Sequence, residues 1–86
     1  MTNVTIRYWA GAKAAAGVAE ESLDADTLSA ALDTALARRD GDPRLRAVLA
    51  RSSFLIGGSA VSRGAAAEVA LAEGAVIEVL PPFAGG

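Results

Sequence analysis

The sequence predicts one α+β domain, a mixed sheet of four to five strands with one main helix packed on one face. Three observations predict it. Near the start, Val4, Ile6 and Tyr8 alternate with Thr5, Arg7 and Trp9, the period of a half-buried strand. In the middle, Leu28, Ala31, Leu32, Ala35 and Leu36 recur at i, i+3, i+4, i+7 and i+8, one apolar stripe of an amphipathic helix. Near the end, Val76 to Leu80 alternates again, with Ile77 and Val79 on one face and Val76, Glu78 and Leu80 on the other. At 86 residues the chain holds a single core and little more. A domain of this size buries only about 60–65% of the surface its unfolded chain exposes, so one layer of helix on sheet is the workable plan.

The first strand places Val4, Ile6 and Tyr8 toward the core, with Trp9 on the other face or at the strand end. Ala10 to Gly17 is alanine-rich around Lys13 and reads as a short helical turn or loop closed by Gly17. Val18 to Leu23 returns as a second strand, although Glu20-Glu21 is a weak strand former. The main helix spans Thr27 to Arg39, with Asp26 or Thr27 as the cap of its free amides. Arg38 and Arg39 suit the negative end of the helix dipole, and with Asp33 they read as a solvated face. Gly41 ends the helix in a left-handed conformation.

Asp42-Pro43 starts a second, shorter helix, because aspartate caps and proline tolerates the first helical position. Leu45, Val48 and Leu49 give it an apolar face through about Arg51. Phe54-Leu55-Ile56 followed by Gly57-Gly58-Ser59 is a strand running into a turn, and Val61 begins a brief partner strand. Arg63 to Ala67 reads as a loop, Leu71 as a buried anchor, and Glu73-Gly74 as a turn. The last strand stops at Pro81-Pro82, since proline has no amide hydrogen for a ladder. The first and last strands both carry core-facing rows and therefore lie side by side in the middle of the sheet.

Composition narrows the function. Net charge is −2, and the eight Lys and Arg residues are scattered rather than gathered into the basic stripe that nucleic-acid binding needs. There is no cysteine and no histidine, which removes thiol nucleophiles, the usual zinc sites and imidazole base catalysis. No run approaches the roughly 20 apolar residues of a membrane span, and Met1 to Trp9 lacks a signal peptide's apolar centre. A cytoplasmic protein with no stand-alone enzymatic activity is expected. Glu20, Glu21, Asp24 and Asp26 form an acidic stretch able to steer a basic partner, against the plainer reading of soluble surface.

The ending Pro81-Pro82-Phe83-Ala84-Gly85-Gly86 is the most distinctive segment. Two prolines stiffen the exit from the sheet, so that residues 81–86 form an extended tail on a domain of residues 1–80. Phe83 offers one large apolar anchor, and the four residues from Phe83 to Gly86 reach roughly 13 Å when extended. The last three residues have almost no side chain and can thread a narrow channel to present a bare carboxylate. An α-carboxyl has a pKa of roughly 3.3–3.7 and is ionised at neutral pH.

With Val4-Thr5-Ile6-Arg7-Tyr8-Trp9-Ala10, Ala15-Ala16-Gly17 and the run from Leu71 to Gly86, the chain resembles the sulfur-carrier branch of the ubiquitin-like β-grasp family. Within that branch it is most similar to the small subunits of molybdopterin synthases. Gly57-Gly58 departs from the Asn-Gly-like turn usual there, and Ala60 and Phe83 stand where other aliphatic residues are usual. The resemblance implies that a partner of the ubiquitin-activating type uses ATP to adenylate the Gly86 carboxylate. Sulfur from a persulfide donor then displaces AMP to leave a thiocarboxylate. The tail next enters the large catalytic subunit of the synthase and delivers sulfur to a cyclic pterin precursor. No bound cofactor is implied, since ATP and the sulfur donor belong to the activating partner.

Gly86 and Gly85 are thus the residues assigned to chemistry, and Trp9, Ala60, Leu80, Phe83 and Ala84 those assigned to partner contact. Alternation sets Leu80 on a strand neighbouring Trp9, and the resemblance implies that both belong to a partner-facing patch with Ala60 at its margin. Other readings keep the fold and change the use of the tail. These are a sulfur carrier for thiamin thiazole or cysteine formation, a protein tag joined through Gly86 to lysines, and an interaction module with an inert tail.

Overall fold

A computed structural model describes residues 2–61 and 69–82. In chain order it contains β1 (Asn3–Tyr8), α1 (Ala10–Ala16), β2 (Glu20–Asp24), α2 (Leu28–Ala37), α3 (Pro43–Arg51), β3 (Ser53–Ile56), β4 (Ser59–Val61) and β5 (Val76–Leu80). Five strands form one mixed sheet in the order β2-β1-β5-β3-β4. β1 and β5 are parallel and central, as their two apolar rows require, and the β1–β2, β3–β5 and β3–β4 pairs are antiparallel. This is the β-grasp arrangement.

The core lies on one face of the sheet. Val4, Ile6 and Tyr8 of β1, Phe54 of β3 and Ile77 and Val79 of β5 are buried beneath the helices. Leu28, Ala31, Leu32, Ala35 and Leu36 form the buried stripe of α2, while α3 adds Leu45 and Leu49 and α1 adds Ala12 and Ala16. Among the described residues three helices cover this face: the main helix α2, the shorter α3 that Asp42-Pro43 announces, and α1 where a helical turn or loop is expected. Leu71 is buried as an anchor, held by its N–H donating to Asp26 O at 2.9 Å.

Local chemistry explains the boundaries. Thr27, not Asp26, caps α2: its hydroxyl oxygen accepts from Ala30 N–H at 3.1 Å. Asp42 caps α3 by accepting from Arg44 N–H at 2.8 Å, with Pro43 at the first turn. Asp26 instead accepts from the Thr2 hydroxyl at 2.8 Å. Gly57 and Gly58 have φ of 58° and 84°. Positive φ at both central residues is the requirement of the tight hairpin turn whose twist matches its strands, so this pair does the work of an Asn-Gly turn.

β2 begins at Glu20, two residues later than the sequence suggests, because Val18 and Ala19 serve the α1–β2 connection. Gly17 closes α1 in a left-handed conformation and Tyr8 N–H donates to Ala19 O at 2.8 Å. Among the described residues, no helix is long and apolar enough to cross a membrane.

Candidate functional site

Among the described residues, the sheet's second face carries no helix. Register aligns its side chains into rows that cross the strands. One row runs Glu20, Arg7, Glu78, Leu55, Ala60 through β2, β1, β5, β3 and β4. The next, toward the end of β5, holds Leu80 opposite Ser53, with Trp9 one step beyond the Tyr8–Val79 pair. Leu55, Val76 and Leu80 are partly buried, yet they stand outside the cluster packed under the helices.

Trp9 is 48% exposed, an unusual position for the only tryptophan of the chain. Its backbone is held from both sides. The Trp9 N–H donates to Val79 O at 3.3 Å, and its carbonyl accepts from Ala12 and Lys13 N–H at 2.9 and 3.3 Å as α1 begins. Ala10, the next residue, has φ of 47°. A side-chain-bearing residue in the left-handed region costs about 1–2 kcal/mol, and here it marks the sharp reversal from β1 into α1. The indole borders a shallow depression of about 220 Å³ lined also by Arg7, Tyr8, Lys13, Ala19 and Glu20.

Of the residues assigned to partner contact, Trp9 and Leu80 come together at the end of the sheet where β5 stops and Pro81-Pro82 leads out. Ala60 is exposed on the same face but lies across three strand spacings from β1, roughly 14 Å away. Phe83, Ala84, Gly85 and Gly86 lie outside the described residues, as do Arg63 to Ala67.

Two features of this face escaped the sequence reading. Leu55 looked like part of a continuous apolar run, and only the pairing of Phe54 with Val79 shows that Leu55 faces the opposite way. Glu78 was visible on the face of Val76 and Leu80, but its row partners Arg7 and Leu55 were not.

The charged residues divide by face. Arg7 and Glu20 form an exposed pair at 3.5 Å on the open side. Glu21 points the other way, under α2, where it accepts from the Tyr8 hydroxyl and from Arg38 Nη1 at 3.0 Å, and pairs with Arg39 Nη2 at 2.8 Å. Asp33 and Arg38 are exposed, as the solvated-face reading expects, although Arg38 reaches Glu21, whereas the Arg39 side chain is largely buried and departs from that reading. Arg39 also donates to Ala16 O and Ala35 O, each at 2.8 Å, and its guanidinium lies 5.7 Å from the centre of the Tyr8 ring. Burial pushes the Tyr8 hydroxyl up, and the hydrogen bond to Glu21 pushes it further. Burial also pushes Glu21 up, but the hydrogen bonds from Tyr8, Arg38 and Arg39 together outweigh it and hold the carboxyl below its usual range. The acidic stretch is thus no single steering surface, because Glu21 is spent inside the fold.

The sequence matches the model of the ThiS family over residues 6–86. The chain belongs to the ThiS family. No curated protein matches it. Solved structures share the fold. The small archaeal modifier protein 1 from Methanosarcina acetivorans is 24% identical with a TM-score of 0.79, covering 100% of this chain and 98% of that one. A putative molybdopterin converting factor subunit 1 from Pyrococcus furiosus is 18% identical with a TM-score of 0.75, covering 96% and 100%. A complex of subunits 1 and 2 of molybdopterin-converting factor from Helicobacter pylori matches at 21% identity and a TM-score of 0.69, covering 99% and 100%. The chain has the fold of ubiquitin-like sulfur carriers and modifiers.

Proposed function

We propose that this ThiS-family protein is a sulfur carrier that works as the small subunit of a molybdopterin synthase, through the carboxylate of Gly86. The observation that carries the reading is the family match through residue 86, on a chain whose β5 ends beside Trp9 at Leu80, just before Pro81-Pro82. An apolar anchor where the tail leaves gives a partner both a grip and a direction for threading. Pairing with a larger subunit is favoured by the fold neighbour from Helicobacter pylori, which is in complex with its subunit 2.

The chemistry asks little of the chain. A carboxylate oxygen of Gly86 attacks the α-phosphorus of ATP on an activating enzyme, and pyrophosphate leaves. The resulting acyl adenylate is a mixed anhydride, opened when a persulfide sulfur attacks the acyl carbon and AMP departs. A thiol then cleaves the S–S bond, leaving the thiocarboxylate on Gly86 and a disulfide on the donor side. The base, the metal for ATP and the persulfide come from partners, and a chain without histidine or cysteine suffices as carrier.

The test is an intact-mass spectrum after incubation with ATP, a sulfur donor and the activating enzyme of the same organism. A gain matching one oxygen replaced by sulfur, absent when Gly86 is deleted, is the expected result. An unchanged mass, where a known carrier is converted, would refute it. A large synthase subunit then separates the molybdopterin route from thiazole and cysteine routes by whether loaded protein converts the pterin precursor. The second reading, a protein tag, is favoured by similarity to the archaeal modifier fold. It predicts Gly86-dependent higher bands on a denaturing gel.

A further inference from the structure

We propose that Glu78 is the selectivity determinant of the open sheet face, and that the partner bound there presents an arginine or lysine among apolar side chains. The inference rests on the carrier reading for the existence of a partner and adds the chemistry by which that partner is recognised.

Glu78 sits mid-strand on β5 and is partly buried. Its strand neighbours on the same face are Val76 and Leu80, and its row neighbour on β3 is Leu55, so three of its surroundings are apolar. On the fourth side Arg7 is its register partner, but the Arg7 guanidinium is turned to Glu20 on β2 at 3.5 Å. Among the described residues Glu78 has neither an ion pair nor a side-chain hydrogen bond. The β3–β5 part of the face is therefore an apolar strip of Leu55, Val76 and Leu80 reaching toward Trp9, with Glu78 as an uncompensated carboxylate in it, while the β1–β2 part is polar with Thr5, Arg7, Glu20 and Ser22.

A protein that covers this strip removes water from Glu78. Desolvating an unpaired carboxylate is unfavourable enough to cancel the burial of several apolar side chains, so a purely apolar or acidic surface is rejected. A surface carrying a cation opposite Glu78 recovers that loss in a charge-assisted hydrogen bond. Exclusion of wrong partners by an unpaired charge is a general route to specificity, and here it needs only one residue. Among the described residues the internal remedy within reach is its register partner Arg7, exposed and weakly paired, swinging from Glu20 to Glu78.

The experiment measures binding of the full chain to two purified proteins of the same organism, the large synthase subunit and the adenylating enzyme. Wild type, Glu78→Gln and Glu78→Arg are compared, each also with Arg7→Ala, at low and high salt. Glu78→Arg is expected to weaken binding by about thirtyfold or more and Glu78→Gln by about tenfold. Both should flatten the salt dependence, with the same effect in the Arg7→Ala background. Variants that bind like wild type overturn the proposal and leave the carrier reading intact. An effect that disappears with Arg7→Ala also overturns it, since the compensating cation is then internal. Wild type failing to bind the large subunit refutes the molybdopterin route, and the proposal is then decided on the adenylating enzyme, which every carrier or tag reading requires. Equal adenylation of wild type and Glu78→Arg there overturns it. A wild-type homodimer abolished by Glu78→Arg replaces the foreign partner with a second copy and overturns it as well. Thermal unfolding of each variant shows that lost binding is not lost folding.

Discussion

The two faces of this sheet are made from the same strands and obey different rules. On the helix side, Phe54, Ile77 and Val79 are fully buried and interchangeable in kind, since any apolar residue of the right volume serves. On the open side, Leu55, Glu78 and Leu80 are their immediate chain neighbours, partly exposed and individually distinct. Stability is concentrated on one face, and the proposed recognition on the other. One residue of register separates the two, because successive strand side chains point to opposite faces.

Neighbouring substitutions break or sharpen that contrast. The largest expected effect is Phe54→Ala, which leaves a cavity under three helices and costs about 3–5 kcal/mol in urea unfolding. Leu55→Ala, one residue on, should cost about 1 kcal/mol, since only part of a leucine's burial is lost. Equal losses at both positions would erase the distinction between faces. Trp9→Ala tests the other side: partner binding should fall by at least about 2 kcal/mol, as for a central aromatic anchor, while stability changes by less than about 1 kcal/mol. A stability loss matching the binding loss would make Trp9 a structural residue.

Glu20 and Glu21 repeat the comparison with charges. Glu21→Ala removes the acceptor shared by Tyr8, Arg38 and Arg39 and should cost about 1–3 kcal/mol. Glu20→Ala breaks only an exposed pair and should cost under about 0.5 kcal/mol. The same site predicts a pH profile. Glu21 titrates lower in the folded than in the unfolded chain, so its contribution is present above the ordinary glutamate value near pH 4.3. That contribution is lost as pH falls through the lower folded value. Tyr8 titrates higher when folded, so its contribution is present below about pH 10 and is lost above it. Chemical denaturation across pH should show both limbs, and Glu21→Gln should flatten the acid one. The smallest effect is Ala10→Gly: relief of the left-handed strain and the added freedom of the unfolded chain nearly offset, leaving stability within about 0.5 kcal/mol.

Much of this was legible in one dimension. The alternation of Val4, Ile6 and Tyr8 and of Ile77 and Val79 named the core rows, and the stripe from Leu28 to Leu36 named the helix that covers them. Asp42-Pro43 and Gly57-Gly58 marked a helix start and a hairpin through backbone requirements that few residues meet. Such features are local, so periodicity and φ preference suffice to reveal them. The nearness of Trp9 to the end of β5 was also within reach, because the matching apolar rows of the first and last strands set them side by side.

What the sequence could not determine is what depends on register between distant strands. Glu20 and Glu21 look alike as neighbours in a charged run, and pairing with β1 alone sends one to Arg7 and the other beneath Tyr8. Arg38 and Arg39 carry a helix-end signature, yet a carboxylate 17 and 18 positions away in the chain claims them. The isolation of Glu78 among Leu55, Val76 and Leu80, with Arg7 turned away, arises where β1, β3 and β5 meet, three strands far apart in the chain. Local pattern sets which side chains seek burial; tertiary packing decides which charges find partners, because a charge's partner is chosen by distance in space and not along the chain.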